Sequence, residues 1–197
     1  MKMGEEFVKE MNDSMDNTLG DFSGHLVGKV KEELKFDKNI IDKCLAKFGT
    51  FVIKFHEMFE VKSTFNQSGL DYKNYDYGLQ IEQGWFVRQY ENEYNPLHVH
   101  TGAKLSCVGY LSLPDGIEEE WENEKKNHHT CNGHIQFASG TNSGYNSTSF
   151  LAKPTIGDFY LFPSELFHTV YPFYTKGERR SFSMNMNCIK IKKNIDK

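Results

Sequence analysis

Eight histidines occur in this chain, and two of them, His98 and His100, sit together in Asn95-Pro96-Leu97-His98-Val99-His100. On an extended strand successive side chains alternate faces, so residues i and i+2 point the same way. The pair therefore offers two imidazoles to one point in space. Neutral imidazole suits Fe, Zn, Cu and Ni, which leaves the metal open. Two surface histidines at a strand end would give the same pattern. A third piece strengthens the metal reading: Gly157-Asp158-Phe159-Tyr160-Leu161-Phe162-Pro163-Ser164 reads as an apolar strand ending at a proline, and His168 follows after a short loop. It brings a third imidazole from a distant part of the chain. Three protein ligands on one face of a metal leave positions open for chemistry.

Eleven residues further on comes Arg179-Arg180-Ser181-Phe182-Ser183-Met184-Asn185. Residues 179, 181, 183 and 185 share one strand face, and all are polar. An arginine facing the inside of a sheet structure needs an anion, because an unpaired buried charge is costly. A dicarboxylate would supply one through two parallel hydrogen bonds to the guanidinium fork, and Ser181 could donate another. Arg180, by parity, reads as an ordinary surface charge. Tyr90 is a further candidate for contact with such a bound acid.

The elements that must position these groups fall into two zones. Residues 1 to about 61 read as helical, bracing a sheet. Their strongest signal runs from Asn39 to Phe59, where Ile40, Ile41, Cys44, Leu45, Phe48, Phe51, Val52, Phe55 and Phe59 recur at spacings of three and four. Asp37 is the expected N-cap, Gly49 a point where the helix could break, and Ser23 to Phe36 a loop or short strand. From Tyr77 onward the period becomes two. Gly84–Tyr90, Leu105–Leu113, Gly133–Ala138, Asp158–Phe162 and Ser181–Ile191 read as strands bounded by turn residues. Many short strands predict a mostly β chain with N-terminal α, a double-sheet jelly roll over 62–197 within one domain. The 16 Phe and 10 Tyr fit pleated surfaces.

Composition excludes several classes. The net charge of -4 arises from intermixed signs, which does not support nonspecific nucleic-acid binding. Four widely spaced cysteines form no CxxC pair and point to reduced thiols in the cytoplasm. Met1 to Asn12 lacks the apolar region of a signal peptide, and no apolar run is long enough to span a bilayer. The other His/Cys cluster, His128-His129-Thr130-Cys131-Asn132-Gly133-His134, has no partner pair for a four-ligand zinc site and reads as a solvated loop. His56 reads as a structural histidine, Trp85 and Phe86 as core, and the loop holding Tyr145 and Phe150 as a candidate lid.

The order HxH, strand–Phe-Pro-Ser–His, then Arg-x-Ser resembles the Fe(II)/2-oxoglutarate-dependent oxygenase superfamily. It is most similar to a small group found in bacteria and marine phages. That group has counterparts of Tyr94 to Gly102, Leu105 to Leu111, Gly133 to Phe137, Phe162-Pro163-Ser164 and the Gly24 to Glu33 segment. The resemblance implies a double-stranded β-helix, Fe(II) as cofactor and 2-oxoglutarate as cosubstrate. It matches His98 and His168 to iron ligands, Arg179 to the cosubstrate arginine and Ser181 to its serine. The implied activity is hydroxylation of a small molecule or a protein side chain, with release of succinate and CO2. Position 100 departs from the pattern, since the wider superfamily usually has Asp or Glu there. Either three imidazoles hold the metal, or His100 stands outside and a remote carboxylate completes the set. Two rivals remain: a cupin-like three-histidine dioxygenase without 2-oxoglutarate, and a metal-free jelly-roll binding module, carbohydrate-binding or virion accessory.

Overall fold

The computed structural model describes residues 1–25, 27–64, 75–124, 131–140 and 147–193. Among these residues nine strands form two antiparallel sheets. β1 (Glu32–Lys35), β2 (Tyr75–Gln89), β9 (Arg179–Lys192), β4 (Leu105–Ser112) and β7 (Phe159–Pro163) make the larger, in the order β1-β2-β9-β4-β7. β3 (Asn95–His98), β8 (Phe167–Val170), β5 (Ile135–Ala138) and β6 (Ser149–Ala152) make the smaller, in the order β3-β8-β5-β6. Val108, Tyr110 and Phe162 of the large sheet pack against Ile135, Phe137 and Ala152 of the small one. The fold is thus the jelly roll expected from the period-two pattern.

Parity on the large sheet sorts its residues cleanly. Leu105, Cys107, Leu111, Phe182, Met184 and Met186 face outward into an apolar core shared with two helices, α1 (Glu5–Asp16) and α2 (Lys38–Thr64). Phe48 of α2 is fully buried there and stacks on Phe159 at 4.2 Å, with Phe7 of α1 edge-on at 5.3 Å. Two glycines let rings lie flat on this face: a Cβ at Gly84 would stand 2.4 Å from the Phe36 ring, and one at Gly109 would stand 2.3 Å from the Phe182 ring.

Several sequence expectations change in detail. α2 runs unbroken through Gly49 to Thr64, capped where Ile40 N–H donates to Asp37 Oδ1 at 2.9 Å. The 23–36 stretch holds a short 3₁₀ turn, Ser23–His25, and β1, which joins the large sheet beside β2. α1 gave no clear sequence signal, yet Phe7, Val8, Met11 and Met15 bury one of its faces. His134, expected in a solvated loop, is buried, and the segment after Pro114 contains α3 (Ile117–Glu124). Ile117 and Trp121 anchor it against Phe173, and Trp121 Nε1–H donates to the Asn132 carbonyl at 2.9 Å. His128, His129 and Tyr145 lie outside the described residues. Among the described residues, no helix is long and apolar enough to cross a membrane.

Candidate active site

The inner faces of the two sheets enclose a cavity of ≈ 210 Å³, with His98, His100 and His168 on one wall and Arg179 on the other. His98 and His168 are directly paired across β3 and β8, which is why histidines 70 positions apart meet. His100 follows two residues beyond His98, and its N–H is held by the Ser164 carbonyl at 2.9 Å. One imidazole nitrogen from each of the three lies within 4.8 Å of the others, and among the described residues no Asp or Glu joins that group. His100 and His168 bring their Nε2 atoms to 3.2 Å. Adjacent ligands at about 2.1 Å from one ion are separated by roughly 3 Å, so this spacing suits a shared metal.

The backbone fixes which nitrogen His98 and His168 offer. His98 Nδ1 meets the Pro96 carbonyl at 2.7 Å and His168 Nδ1 the Leu166 carbonyl at 2.9 Å. With Nδ1–H donating outward, Nε2 keeps its lone pair toward the cavity, the usual way a protein orients a metal-binding histidine. Burial, and then the neighbouring imidazoles, push His100 down to about 3. Burial likewise pulls His168 down to about 4, against an opposing pull from the Leu166 carbonyl. Both rings are therefore neutral, the form that binds a metal, across the physiological range.

Arg179 is 2 % exposed, while its neighbour Arg180 turns outward to Glu178 and Asp16. Arg179 donates to the Gly133 carbonyl and to Gln89 Oε1, and lies between the rings of Tyr110 and Phe173, 5.8 Å from each centroid. No Asp or Glu among the described residues pairs with it. Its Nε and the Tyr110 hydroxyl are buried without a hydrogen-bond partner. Leaving both unsatisfied beside a desolvated guanidinium is costly, and an anion entering the cavity would satisfy them. Ser181 is buried on the same wall, two residues along β9 from Arg179.

Tyr90, the expected aromatic contact, does not line this cavity. Gln89 faces inward, so its successor turns away, and the Tyr90 N–H donates to Glu93 Oε2 at 3.0 Å. Sequence reasoning missed Tyr110 and Gln89, although inward alternation from Trp85 and from Ser106 would have reached both. It also missed Glu33, which lines the cavity at 4 % exposure. Burial, followed by the nearby Asp21 and Glu93 charges, pushes Glu33 up to about 8 from an ordinary 4.5. Because the folded state holds this proton more tightly, the stability contributed is complete below pH 4.5 and lost as pH rises through 8. Chemical denaturation at pH 5 and pH 9 should show wild type losing stability, on the order of a few kcal/mol, relative to Glu33→Gln. Parallel pH profiles for the two proteins would refute it.

A family model described as "Putative 2OG-Fe(II) oxygenase" matches residues 83–185, more than half of the chain and all the cavity residues just described except Glu33. No curated protein matches in a sequence search. Among solved structures, a Pseudomonas putida prolyl-4-hydroxylase superposes with a TM-score of 0.53 at 12% identity, covering 93% of this chain and 86% of that one. HygX from Streptomyces hygroscopicus, crystallised with nickel and 2-oxoglutarate, gives 0.51 at 12% identity, covering 93% and 78%. A Burkholderia pseudomallei oxidoreductase of the 2OG-Fe(II) oxygenase family is covered over only 44% of its length. At these identities the structures speak for the fold, and the family match speaks for the chemistry: the chain belongs to the 2OG-Fe(II) oxygenases, as an iron- and 2-oxoglutarate-dependent dioxygenase.

Proposed function

We propose that this enzyme hydroxylates a small molecule or a protein side chain, with His98, His100 and His168 as the iron ligands. In the same reading Arg179, Tyr110 and Ser181 hold the distal carboxylate of 2-oxoglutarate. The observation that carries the assignment is the buried Arg179, with its orphaned Nε and the orphaned Tyr110 hydroxyl, facing the cavity that the three imidazoles face. When bound, iron and 2-oxoglutarate supply the oxidising power of dioxygen, releasing succinate and CO2 and placing one oxygen atom on the substrate. The chain's own share is positioning and charge matching. Gln89 and the Gly133 carbonyl fix the guanidinium plane before the acid arrives, which removes an ordering cost from binding. Apolar Val108, Ile135 and Phe162 exclude water between the two polar walls. All four cysteines are free, as a reducing cytoplasm would keep them.

Anaerobic addition of Fe(II) and 2-oxoglutarate should produce a visible metal-to-ligand charge-transfer band. Iron binding without that band would overturn the cosubstrate assignment. Tyr110→Phe should weaken 2-oxoglutarate about tenfold, the worth of a hydrogen bond to a charged group. Its thermal stability should stay level or rise, because the lost hydroxyl has no partner in the free protein. A variant that binds the acid as wild type does would remove Tyr110 from the site.

A further inference from the structure

Aside from the histidines, two ionisable acid or base side chains among the described residues line the catalytic cavity with opposite charge types: Arg179 and Glu33. They stand apart. Glu33 pairs with Val87, Val87 with Ser181, and Ser181 with Tyr110, so these four form one inward row across β1, β2, β9 and β4. Strands in a sheet lie about 4.8 Å apart, which separates the backbones of Glu33 and Tyr110 by roughly 14 Å. A small dicarboxylate seated on Arg179 and Tyr110 neither reaches Glu33 nor gains from another carboxylate.

Glu33 is 4 % exposed, and among the described residues its carboxyl has no hydrogen-bond donor and no cation. The charged groups felt there, Asp21 and Glu93, are acids, and Glu93 Oε1 is itself buried without a partner. The arginine next door, Arg88, is turned to the opposite face, where it pairs with Asp16, Glu32 and Glu178. A buried acid that served only the fold would be paired. Trp85, 3 % exposed, lines the same cavity, with its ring 5.8 Å from that of His100. A carboxyl and an indole lining one cavity are a setting that favours a cation.

We propose that Glu33 recognises a positively charged group of the primary substrate, an ammonium or guanidinium, making this oxygenase selective for cationic substrates. The proposal rests on the iron and 2-oxoglutarate reading above, with the cosubstrate at Arg179 and the substrate toward Glu33. Enzyme loaded with Zn(II) and 2-oxoglutarate can be titrated at pH 9, where the Glu33 carboxyl is ionised and the amine still a cation, with n-butylamine and n-butylguanidine, against n-butanol and butyrate, by ligand-observed NMR. The cations should bind at least about tenfold tighter than the alcohol, and butyrate weakest. Glu33→Gln should bring amine and alcohol to within about twofold, while its Fe(II)–2-oxoglutarate band stays as in wild type. Equal binding of amine and alcohol to wild type, or a cation preference surviving in Glu33→Gln, overturns the proposal. If Glu33→Gln fails to fold, the comparison on wild type decides alone. Absence of the charge-transfer band in wild type would strike the cosubstrate reading, a separate and distinguishable failure.

Discussion

Arg179→Ala is expected to weaken 2-oxoglutarate binding by about 10²-fold or more while leaving iron occupancy close to wild type. Truncating one partner of a buried, hydrogen-bonded charge pair costs about 2–5 kcal/mol, which sets that scale. The geometry leaves little room for compensation. Gln89 and the Gly133 carbonyl hold the guanidinium edge-on, and neither can replace its charge. Arg179→Lys keeps the charge but loses the planar fork, so it should recover only part of the affinity. Arg180→Ala is the control. Its partners, Asp16 and Glu178, lie on the outer face, where an ion pair is worth under about 1 kcal/mol, and 2-oxoglutarate binding should change less than about twofold. Titration of the visible band, with metal content measured on the same samples, checks all three. A larger effect from Arg180 than from Arg179 would refute the inward assignment.

His168→Ala is expected to lower iron affinity by at least about 10²-fold, since even a residue that merely supports a metal ligand costs 10–100-fold when changed. His168 is 4 % exposed and pairs with His98 across β3 and β8, so no solvent-exposed side chain can swing into its place. His100 carries the sharper question. If three imidazoles hold the metal, His100→Ala should match His98→Ala in its loss, and His100→Asp should retain binding. Co(II) titration of the apoprotein, read by visible absorption, measures this. Wild-type affinity in His100→Ala would remove His100 from the ligand set.

The features legible in the sequence were those governed by local parity. Alternation along one strand placed Arg179 and Ser181 on a common inner face and Arg180 outside. The i, i+2 spacing aimed His98 and His100 at one point, and the three-four spacing with Asp37 as cap marked α2. Parity also exposes the weakest sequence choice. Tyr90 is offered for contact with a bound acid, yet it follows inward-facing Gln89 and does not line the cavity, whereas Tyr110 of β4 does.

The rest depended on which strands pair and in what register, information that no short window contains. β3, β6 and β8 have four residues each, too few for a period to declare itself, and they are strands because their neighbours complete their hydrogen bonds. The meeting of His98 with His168 belongs to that pairing. So does the row that carries Glu33, Val87, Ser181 and Tyr110 across four strands. The sequence alone determined that imidazoles and an arginine would face inward, because side-chain direction is local. Only the tertiary structure decided that they share one cavity, and that an acid stands at its far end, because strand register is set by contacts between distant parts of the chain.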